Sequence, residues 1–200
     1  MFYIIKEGFF MLSELLLKSR SIRSFVPGKK VPRDVLLSMI EATRLCPSSA
    51  NLQALKFRPV YDDKECDEVF SALKWAGYLP DGSVPPKGHE STSYIIICLD
   101  KNISSNVSAF NKDTGICAQT MMLCAAEAGF GGCMIGSFNR EMLMSALSLP
   151  DNLEITLVLA LGVPDEEPKI VDFDGSTKYF RENGVHYVPK RSLEDILIYI

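Results

Sequence analysis

The chain has 200 residues, of which 47% are hydrophobic and 23% are charged, and its formal net charge is −4. This length suits a single domain with a sizeable core, and the composition excludes a disordered or low-complexity protein. Because the net charge is negative, we expect neither nucleic acid nor a membrane as a partner.

The first ten residues, MFYIIKEGFF, are apolar but are interrupted by Lys6, Glu7 and Gly8. The stretch is too short and too broken for a transmembrane helix, and no small-residue cleavage site follows it. We therefore treat residues 1–10 as an N-terminal extension, which is either an added arm or an arm that packs on a partner chain. Residues 11–200 are expected to form a single domain.

The spacing of apolar residues predicts secondary structure in a definite order. It predicts a helix over 12–19, a helix from 32 to about 45, a strand over 57–61, a helix over 64–76, an irregular segment over 77–90, a strand over 94–99, a helix over 112–128, a helix over 141–147 and a strand over 154–161.

Two of these elements carry most of the fold prediction. The strand over 94–99 is continuously apolar, which is typical of a central strand covered on both faces. The helix over 112–128 is apolar almost all round, so it is buried in a large core or lies at a subunit interface. Strands and helices do not alternate strictly, which predicts an α+β domain with a mostly antiparallel sheet flanked by helices.

The six cysteines contain no C-x-x-C pair, and only His89 and His186 could assist them in holding a metal. We therefore expect no metal site. Four of the cysteines lie in apolar surroundings, which indicates small buried thiols in a reducing compartment and hence a cytoplasmic protein. These four are Cys98, Cys117, Cys124 and Cys133.

The segment Arg20-Ser21-Ile22-Arg23 places two guanidinium groups and a hydroxyl where the first helix ends. If the chain leaves helical geometry here, Arg20 and Arg23 can converge on one anion while Ser21 adds a neutral donor. Guanidinium and phosphate form a strong, often bidentate contact. The alternative is that both arginines only complement the C-terminal end of the helix dipole.

A second candidate is the loop Pro47-Ser48-Ser49-Ala50-Asn51-Leu52-Gln53, which concentrates hydroxyl and amide groups after a proline that stops a helix. The pyrimidine edge of a flavin alternates donors and acceptors that such side chains can match. The alternative is an ordinary polar loop whose side chains bond to the local backbone.

Two further segments are candidates for ligand contact. Residues 129–136 contain four glycines, which permit close approach to a planar ring or to another chain, although the G-x-G-x-x-G fingerprint of dinucleotide sites does not occur. In the tail, Lys190 and Arg191, with Arg181 and His186 nearby, could return to the anion at Arg20. The alternative for the tail is a solvated basic patch.

Taken together and in this order, four segments resemble the nitroreductase family from about Leu12 onward. They are RSIRSF (20–25), CPSSANLQ (46–53), GFGGCMIG (129–136) and LALGVP (159–164). The stretches LKWAGYLPDG (73–82) and VPKRSLEDI (188–196) look like one branch of that family.

The resemblance implies a homodimer with two FMN molecules at the subunit interface, each held by both chains. It also implies ping-pong transfer of hydride from NADH or NADPH through the flavin to a small acceptor such as a nitroaromatic or a quinone.

The resemblance assigns roles residue by residue and names no catalytic acid or base. Arg20, Ser21 and Arg23, helped by Lys190 or Arg191, would bind the FMN phosphate. The flavin ring or its ribityl chain would be contacted by the polar loop and by the glycine-rich segment. The residues concerned are Pro47, Ser48, Ser49, Asn51, Gln53, Met134, Ile135 and Gly136, with Asp113 and Gly115 as weaker candidates for the rim.

Two departures from the family pattern stand out. Ser19 occupies a position where many relatives carry arginine, and the segment 75–90, which often forms a lid over the flavin, is compact. Trp75, Tyr78 and Leu79 belong either to the core or to the wall of the acceptor pocket.

Three alternative functions remain open: a flavin-binding or storage protein without turnover, a specialised relative that destroys flavin or removes halogen from its substrate, and a phosphate-binding module without flavin.

Overall fold

The structure, a computed structural model, describes residues 10–79 and 83–198. Residues 1–9 of the predicted extension therefore lie outside the described residues, and the first helix begins at Phe10. The described elements are α1 (Phe10–Lys18), α2 (Arg33–Ala42), β1 (Leu55–Val60), α3 (Asp63–Ala72), β2 (Ser93–Asp100), α4 (Asn111–Glu127), β3 (Gly131–Ile135), α5 (Arg140–Ala146), β4 (Leu153–Gly162), β5 (Lys169–Asp172), β6 (Phe180–Glu182), β7 (Val185–Lys190) and α6 (Leu193–Ile196).

The main sheet has four strands in the order β1-β2-β4-β3, and every neighbouring pair is antiparallel. Strand β2 is central, and all residues from Ser93 to Leu99 are buried. An unbroken apolar run has no solvent-facing side, so both of its faces must be covered. The predicted α+β fold and its central strand are confirmed.

Helices cover both faces of this sheet and make a three-layer arrangement. On one face, α3 and α5 pack against the side chains of Tyr94, Ile96 and Ala160. On the other face, α2 and α4 pack against Ile95 and Leu159. Neighbouring residues of a strand point to opposite faces, so each apolar strand contributes to both cores.

Helix α3 ends earlier than the sequence predicts. The apolar spacing predicts helix to residue 76, but Leu73 is already extended and forms an isolated bridge with Phe138. The amide of Lys74 then donates to the carbonyl of Ser137 at 2.9 Å. This long-range backbone pairing replaces the last turn of the predicted helix and ties residues 73–74 to the chain just after β3.

The tail forms a second, three-stranded sheet in the order β5-β7-β6, in which β5 and β7 are parallel. The sequence predicts no strand or helix after residue 161, so this sheet is an addition to the prediction. Its strands have three to six residues and mixed exposure, and such short strands give little periodic signal.

Helix α4 is less completely buried than its composition predicts. Met121, Ala118 and Ala125 are fully buried against the sheet. Ile116, by contrast, is 37% exposed, and Leu123, seven residues further along, is half-buried. Residues seven apart lie on the same side of a helix, so an apolar stripe of α4 is left outside the core. None of the described helices is both long and apolar enough to span a membrane.

The glycine-rich segment is packed against its own chain. An added Cβ at Gly132 would lie 2.0 Å from the carbonyl oxygen of Ala160, and one at Gly131 would lie 2.9 Å from Pro164. At Gly136 the nearest atom, on Leu157, would be 4.0 Å away. The prediction that these glycines let a planar ring or another chain approach closely is therefore wrong for Gly131 and Gly132. It stays open for Gly136.

The cysteines are free thiols, and four of them are buried. Burial raises the pKa of Cys66, Cys98, Cys117 and Cys133 to about 12. A thiol that stays protonated is a poor nucleophile and packs as a small apolar group. For three of the four predicted buried cysteines, Cys98, Cys117 and Cys133, the expectation holds; Cys124 is half-buried.

We expect Gly132→Ala to destabilise the fold, because the new Cβ would overlap the backbone of β4 and the two paired strands would have to separate. Overpacking of this kind costs about 1–3 kcal/mol. Urea unfolding followed by circular dichroism measures the loss. Gly136→Ala is the matched control, and a comparable loss in both variants would contradict the explanation.

Candidate functional site

The arginine segment leaves helical geometry, as the sequence analysis requires for an anion site. Helix α1 ends at Lys18, and Ser21 then forms a parallel bridge with Gly132 of β3. The amide of Ile22 donates to the carbonyl of Gly132 at 2.9 Å. The segment thus lies along the outer edge of the main sheet, where Ile22 is buried and the polar residues around it are at least partly exposed.

Arg20 faces a cavity of about 180 Å³ that we call the arginine pocket. Its Nε atom is buried and has no hydrogen-bond partner among the described residues. A buried donor without an acceptor costs roughly 1–3 kcal/mol, so a bound acceptor here would relieve that cost. The arginine pocket is lined by Ser19, Arg20, Ser21, Gln119, Met122, Gly132, Cys133 and Met134.

Arg23 points to a different environment. Its guanidinium lies 3.4 Å from Nε2 of His186 and 5.0 Å from the centre of the Tyr179 ring. Its backbone amide donates to Glu166 at 2.5 Å, and the same carboxylate pairs with Arg181. Arg23 thus joins the N-terminal segment to the small sheet, and it is not among the residues that line the arginine pocket.

His186 is buried beside two cations. Desolvation, together with the charges of Arg23 and Arg181, lowers its pKa to about 4. The imidazole is therefore neutral at pH 7 and can accept a hydrogen bond from Arg23.

Lys190 and Arg191 lie at the end of β7. Lys190 is exposed, and the guanidinium of Arg191 lies over the ring of Phe173 at 4.5 Å. Within the described part of the chain, no hydrogen bond or ion pair joins either of them to the arginine segment. The tail residues that do reach that segment are His186, through Arg23, and Arg181, through Glu166.

The polar loop has an unusual backbone. Residues Ser49–Asn51 form a short 3-10 turn. Ala50, Asn51 and Gln53 have φ values of 49°, 54° and 50°. Left-handed conformations are rare for residues other than glycine and cost of order 1 kcal/mol each. Several of them in four residues indicate a loop whose shape is imposed by its surroundings.

Asp113, at the start of α4, imposes that shape. One of its carboxylate oxygens accepts from the amide of Ser49 at 2.8 Å, and the other accepts from the hydroxyl of Ser49 at 2.6 Å. Asp113 is only 3% exposed. The sequence predicts Asp113 as a weak candidate for the rim and Ser49 as a ligand contact. In the structure Ser49 fastens the loop, and its contact with the ligand stays a prediction. The sequence signal for this anchoring role is an aspartate in the first turn of a long, otherwise apolar helix.

The remaining loop residues line a cavity of about 240 Å³, the loop pocket. The amide side chains of Asn51 and Gln53 are exposed and lie within 3.4 Å of each other, while the hydroxyl of Ser48 accepts from the amide of Gln53 at 3.1 Å. The described lining consists of Thr43, Arg44, Cys46, Pro47, Ser48, Asn51, Gln53, Ala54, Leu55, Phe57, Asp113 and Cys117.

The two pockets lie on opposite sides of α4. The loop pocket contacts the helix at Asp113 and Cys117, whereas the arginine pocket contacts it at Gln119 and Met122. At 3.6 residues per turn, the two pairs are separated by roughly 170° around the helix axis. One chain therefore presents these two halves of the predicted site away from each other.

Successive side chains of the glycine-rich segment point to opposite faces of the sheet, as in any strand. Met134 and Gly136 are exposed, whereas Ile135 turns its side chain into the core beside α5. Met134 borders the arginine pocket. Any contact of Ile135 with a ligand on the Met134 side would therefore come from its backbone.

The fold and the site define an α+β protein with an arginine segment and a strained polar loop as separate half-sites. The sequence model of the nitroreductase family matches residues 16–163, and the chain therefore belongs to the nitroreductase family. The resemblance found in the sequence analysis is confirmed.

Individual relatives agree with this assignment. An NADPH-flavin oxidoreductase of Vibrio harveyi is 26% identical over 171 residues, which cover 78% of this chain and 67% of the relative. A candidate NADH dehydrogenase/NAD(P)H nitroreductase of Archaeoglobus fulgidus is 24% identical over 178 residues, covering 86% and 95%. The crystal structure of a nitroreductase family protein from Clostridium novyi superposes with a TM-score of 0.62 at 28% identity, covering 76% of this chain and 85% of that one.

We expect the stability of the protein to fall as the pH decreases from about 6.5 toward 4, because His186 has a folded pKa of about 4 and an ordinary unfolded value. In that window the imidazole of His186 is protonated in the unfolded chain but neutral in the folded chain. The free energy of unfolding therefore falls by up to about 1.4 kcal/mol for each pH unit. Above pH 6.5 both states are neutral and the effect vanishes.

Urea unfolding between pH 7 and 5 measures this dependence. His186→Gln, which carries no titrating group, should flatten the decline. Equal slopes for the wild type and His186→Gln would contradict the assignment.

Proposed function

We propose that this protein is a cytoplasmic, FMN-dependent oxidoreductase that uses NADH or NADPH to reduce a small acceptor, and that it works as a homodimer with FMN at the interface. The observation that carries the proposal is the buried, unpartnered Nε of Arg20 in a pocket beside Ser21. The names of the relatives from Vibrio harveyi and Archaeoglobus fulgidus support both the flavin and the nicotinamide.

The arginine pocket fits the phosphate of FMN. Arg20 supplies a guanidinium donor that lacks an acceptor, and the exposed hydroxyl of Ser21 adds a neutral one. Arg23 contributes positive charge from the neighbouring cluster, and Lys190 or Arg191 would approach from the tail. Charge-assisted hydrogen bonds to phosphate are about twice as strong as neutral ones, which makes this segment the principal anchor of the cofactor.

The loop pocket fits the ring edge and the ribityl chain. Asn51 and Gln53 present amide donors and acceptors, with Pro47 and Ser48 shaping the loop and Ser49 fastened to Asp113. Met134, Gly136 and the backbone of Ile135 would lie along the ring. A preorganised loop does not have to be ordered when the ligand binds, so less of the interaction energy is lost.

When FMN is bound, it supplies the redox chemistry: it accepts hydride from NAD(P)H and later passes electrons to the acceptor in a ping-pong cycle. The chain therefore needs no nucleophile or dedicated acid–base pair of its own. Its residues hold the phosphate, match the ring edge and keep one ring face open. The buried cysteines, with their raised pKa values, do not compete as nucleophiles.

Two properties of the chain support a site built from two subunits. The pockets of about 240 Å³ and 180 Å³ are each smaller than the roughly 300–1,000 Å³ of ordinary ligand sites, and they face opposite sides of α4. Apolar side chains are also exposed on α1 and α6, with Met11 at 79% and Ile196 at 65%. Exposed apolar surface of this kind marks an interface. A second copy would bring the loop pocket of one chain to the arginine pocket of the other.

We expect the purified protein to carry FMN, and its yellow absorbance to bleach under anaerobic NADH or NADPH and return when a quinone is added. A yellow protein that does not bleach would identify a flavin-binding or storage protein without turnover. A colourless protein that does not bind added FMN would leave only a phosphate-binding module.

We expect Arg20→Ala to weaken FMN binding by about 1.5–3 kcal/mol, which raises the Kd roughly tenfold to 150-fold. Arg33→Ala, at an exposed arginine bonded to Tyr61, is its control.

We expect defects in the two half-sites to complement each other in mixed dimers. Arg20→Ala and Asn51→Gly should each lower FMN affinity in homodimers, and glycine keeps the left-handed backbone at residue 51. A heterodimer purified from cells that express both variants should regain one intact site and bind one FMN with nearly normal affinity. If each site belonged to a single chain, the heterodimer would bind FMN no better than either homodimer.

A further inference from the structure

One cavity of about 750 Å³ is not part of either half-site. We call it the tryptophan pocket. It lies where α3 ends, beneath the turn that follows Trp75. Its described lining consists of Phe70, Leu73, Lys74, Trp75, Gly77, Val84, Pro85, Lys87, Glu90 and Ser137. A volume of this size accommodates a drug-sized aromatic molecule.

This cavity adjoins the proposed flavin site at two places. The backbone amide of Lys74 donates to the carbonyl of Ser137, which directly follows the ring-contacting Gly136. The ring of Tyr78, which follows the lining residue Gly77, packs at 5.1 Å on Tyr179, and Tyr179 in turn contacts Arg23 and His186. Residues 74–78 therefore connect the cavity to the end of β3 and, through Tyr179, to Arg23.

Three hydrogen-bond donors of the tryptophan pocket, one buried indole and two exposed lysines, have no protein acceptor among the described residues. Within the described part of the chain, neither Lys74 nor Lys87 has an ion pair or a side-chain hydrogen bond. The indole Nε1 of Trp75 is buried and also unpartnered. The one carboxylate of the lining, Glu90, accepts from the amide of Gly88 at 3.0 Å. The cavity therefore has a surplus of donors and of positive charge, although the whole chain is acidic.

The walls of the cavity are apolar and partly aromatic. The rings of Phe70 and Trp75 lie 5.8 Å apart with a 41° tilt, and Val84 and Pro85, both buried, line the cavity as well. Aromatic walls favour a flat ring by offset or tilted stacking, and unpaired donors favour a ligand that brings only acceptors. A carboxylate attached to an aromatic ring satisfies both requirements, whereas a neutral aromatic molecule leaves both lysines without an acceptor.

We propose that the tryptophan pocket is the acceptor subsite and that it selects aromatic carboxylates, with Lys74 and Lys87 binding the carboxylate and Trp75 contacting the ring. The role as an acceptor subsite rests on the proposed function. The binding of aromatic carboxylates rests only on the cavity and can be measured without turnover.

Trp75 is the only tryptophan of the chain, so its fluorescence reports on this cavity directly. We expect benzoate to change the fluorescence of the oxidised holoenzyme in a saturable way, and benzyl alcohol and cyclohexanecarboxylate to bind much more weakly. Lys74→Gln and Lys87→Gln should each weaken benzoate binding roughly three- to tenfold, and Lys169→Gln, at an exposed lysine of β5, should not. Absence of a benzoate response, equal binding of benzyl alcohol or unaffected lysine variants would each overturn the proposal.

Turnover supplies the second measurement. With reduced enzyme, kcat/KM for 4-nitrobenzoate should exceed that for 4-nitrobenzyl alcohol, and Lys74→Gln with Lys87→Gln should reduce this ratio. A ratio that the lysine variants leave unchanged would overturn the role as an acceptor subsite. If the proposed function fails, the wild-type protein does not bleach at all, while benzoate binding at Trp75 is unaffected.

Discussion

The candidate site depends on close backbone contact between the arginine segment and the edge of the main sheet. Gly131 makes room for Ile22, since an added Cβ there would lie 3.0 Å from Cγ1 of Ile22, and the carbonyl of Gly132 accepts from the amide of Ile22. At the other end of the segment, Phe25 packs on Gly162 so closely that an added Cβ would lie 2.6 Å from its ring. The glycines of β3 and β4 thus fix the path of the segment, and this path puts Arg20 at the arginine pocket.

A second constraint acts on the opposite side of α4. Asp113 is buried, and an ionised carboxylate in that position needs donors, which Ser49 supplies from both its amide and its hydroxyl. The bonds to a charged acceptor offset the cost of the left-handed residues that follow. Helix α4 is therefore the common support of both half-sites. Because a rigid helix separates them, a flexible loop cannot bring them together within one chain, and a second subunit is the direct way to join them.

The sequence predicts those parts of this protein whose signals are local. The uninterrupted apolar run Tyr94–Leu99 and the end of α1 before the arginine segment both follow from neighbouring residues. The small sheet could not be predicted, because its parallel pair joins residues 169–172 to 187–190 through strands too short to show periodicity. The early end of α3 and the anchoring role of Asp113 depend on contacts with Phe138 and Ser49, distant in sequence. The pairing of Arg23 with His186 has the same origin.

The distribution of ion pairs explains why particular cations are left for ligands. Several positive side chains elsewhere in the described chain are neutralised internally: Arg58 pairs with Glu65 at 2.5 Å, Lys30 pairs with Asp63, and Arg140 pairs with Glu154. Such pairs remove those cations from competition for an anion. In a chain of net charge −4, a cation without a carboxylate beside it creates a local field opposite to that of the rest of the surface. Arg20, Lys74 and Lys87 line pockets in this condition, and the field around each pocket therefore attracts a phosphate or a carboxylate that the surrounding surface repels.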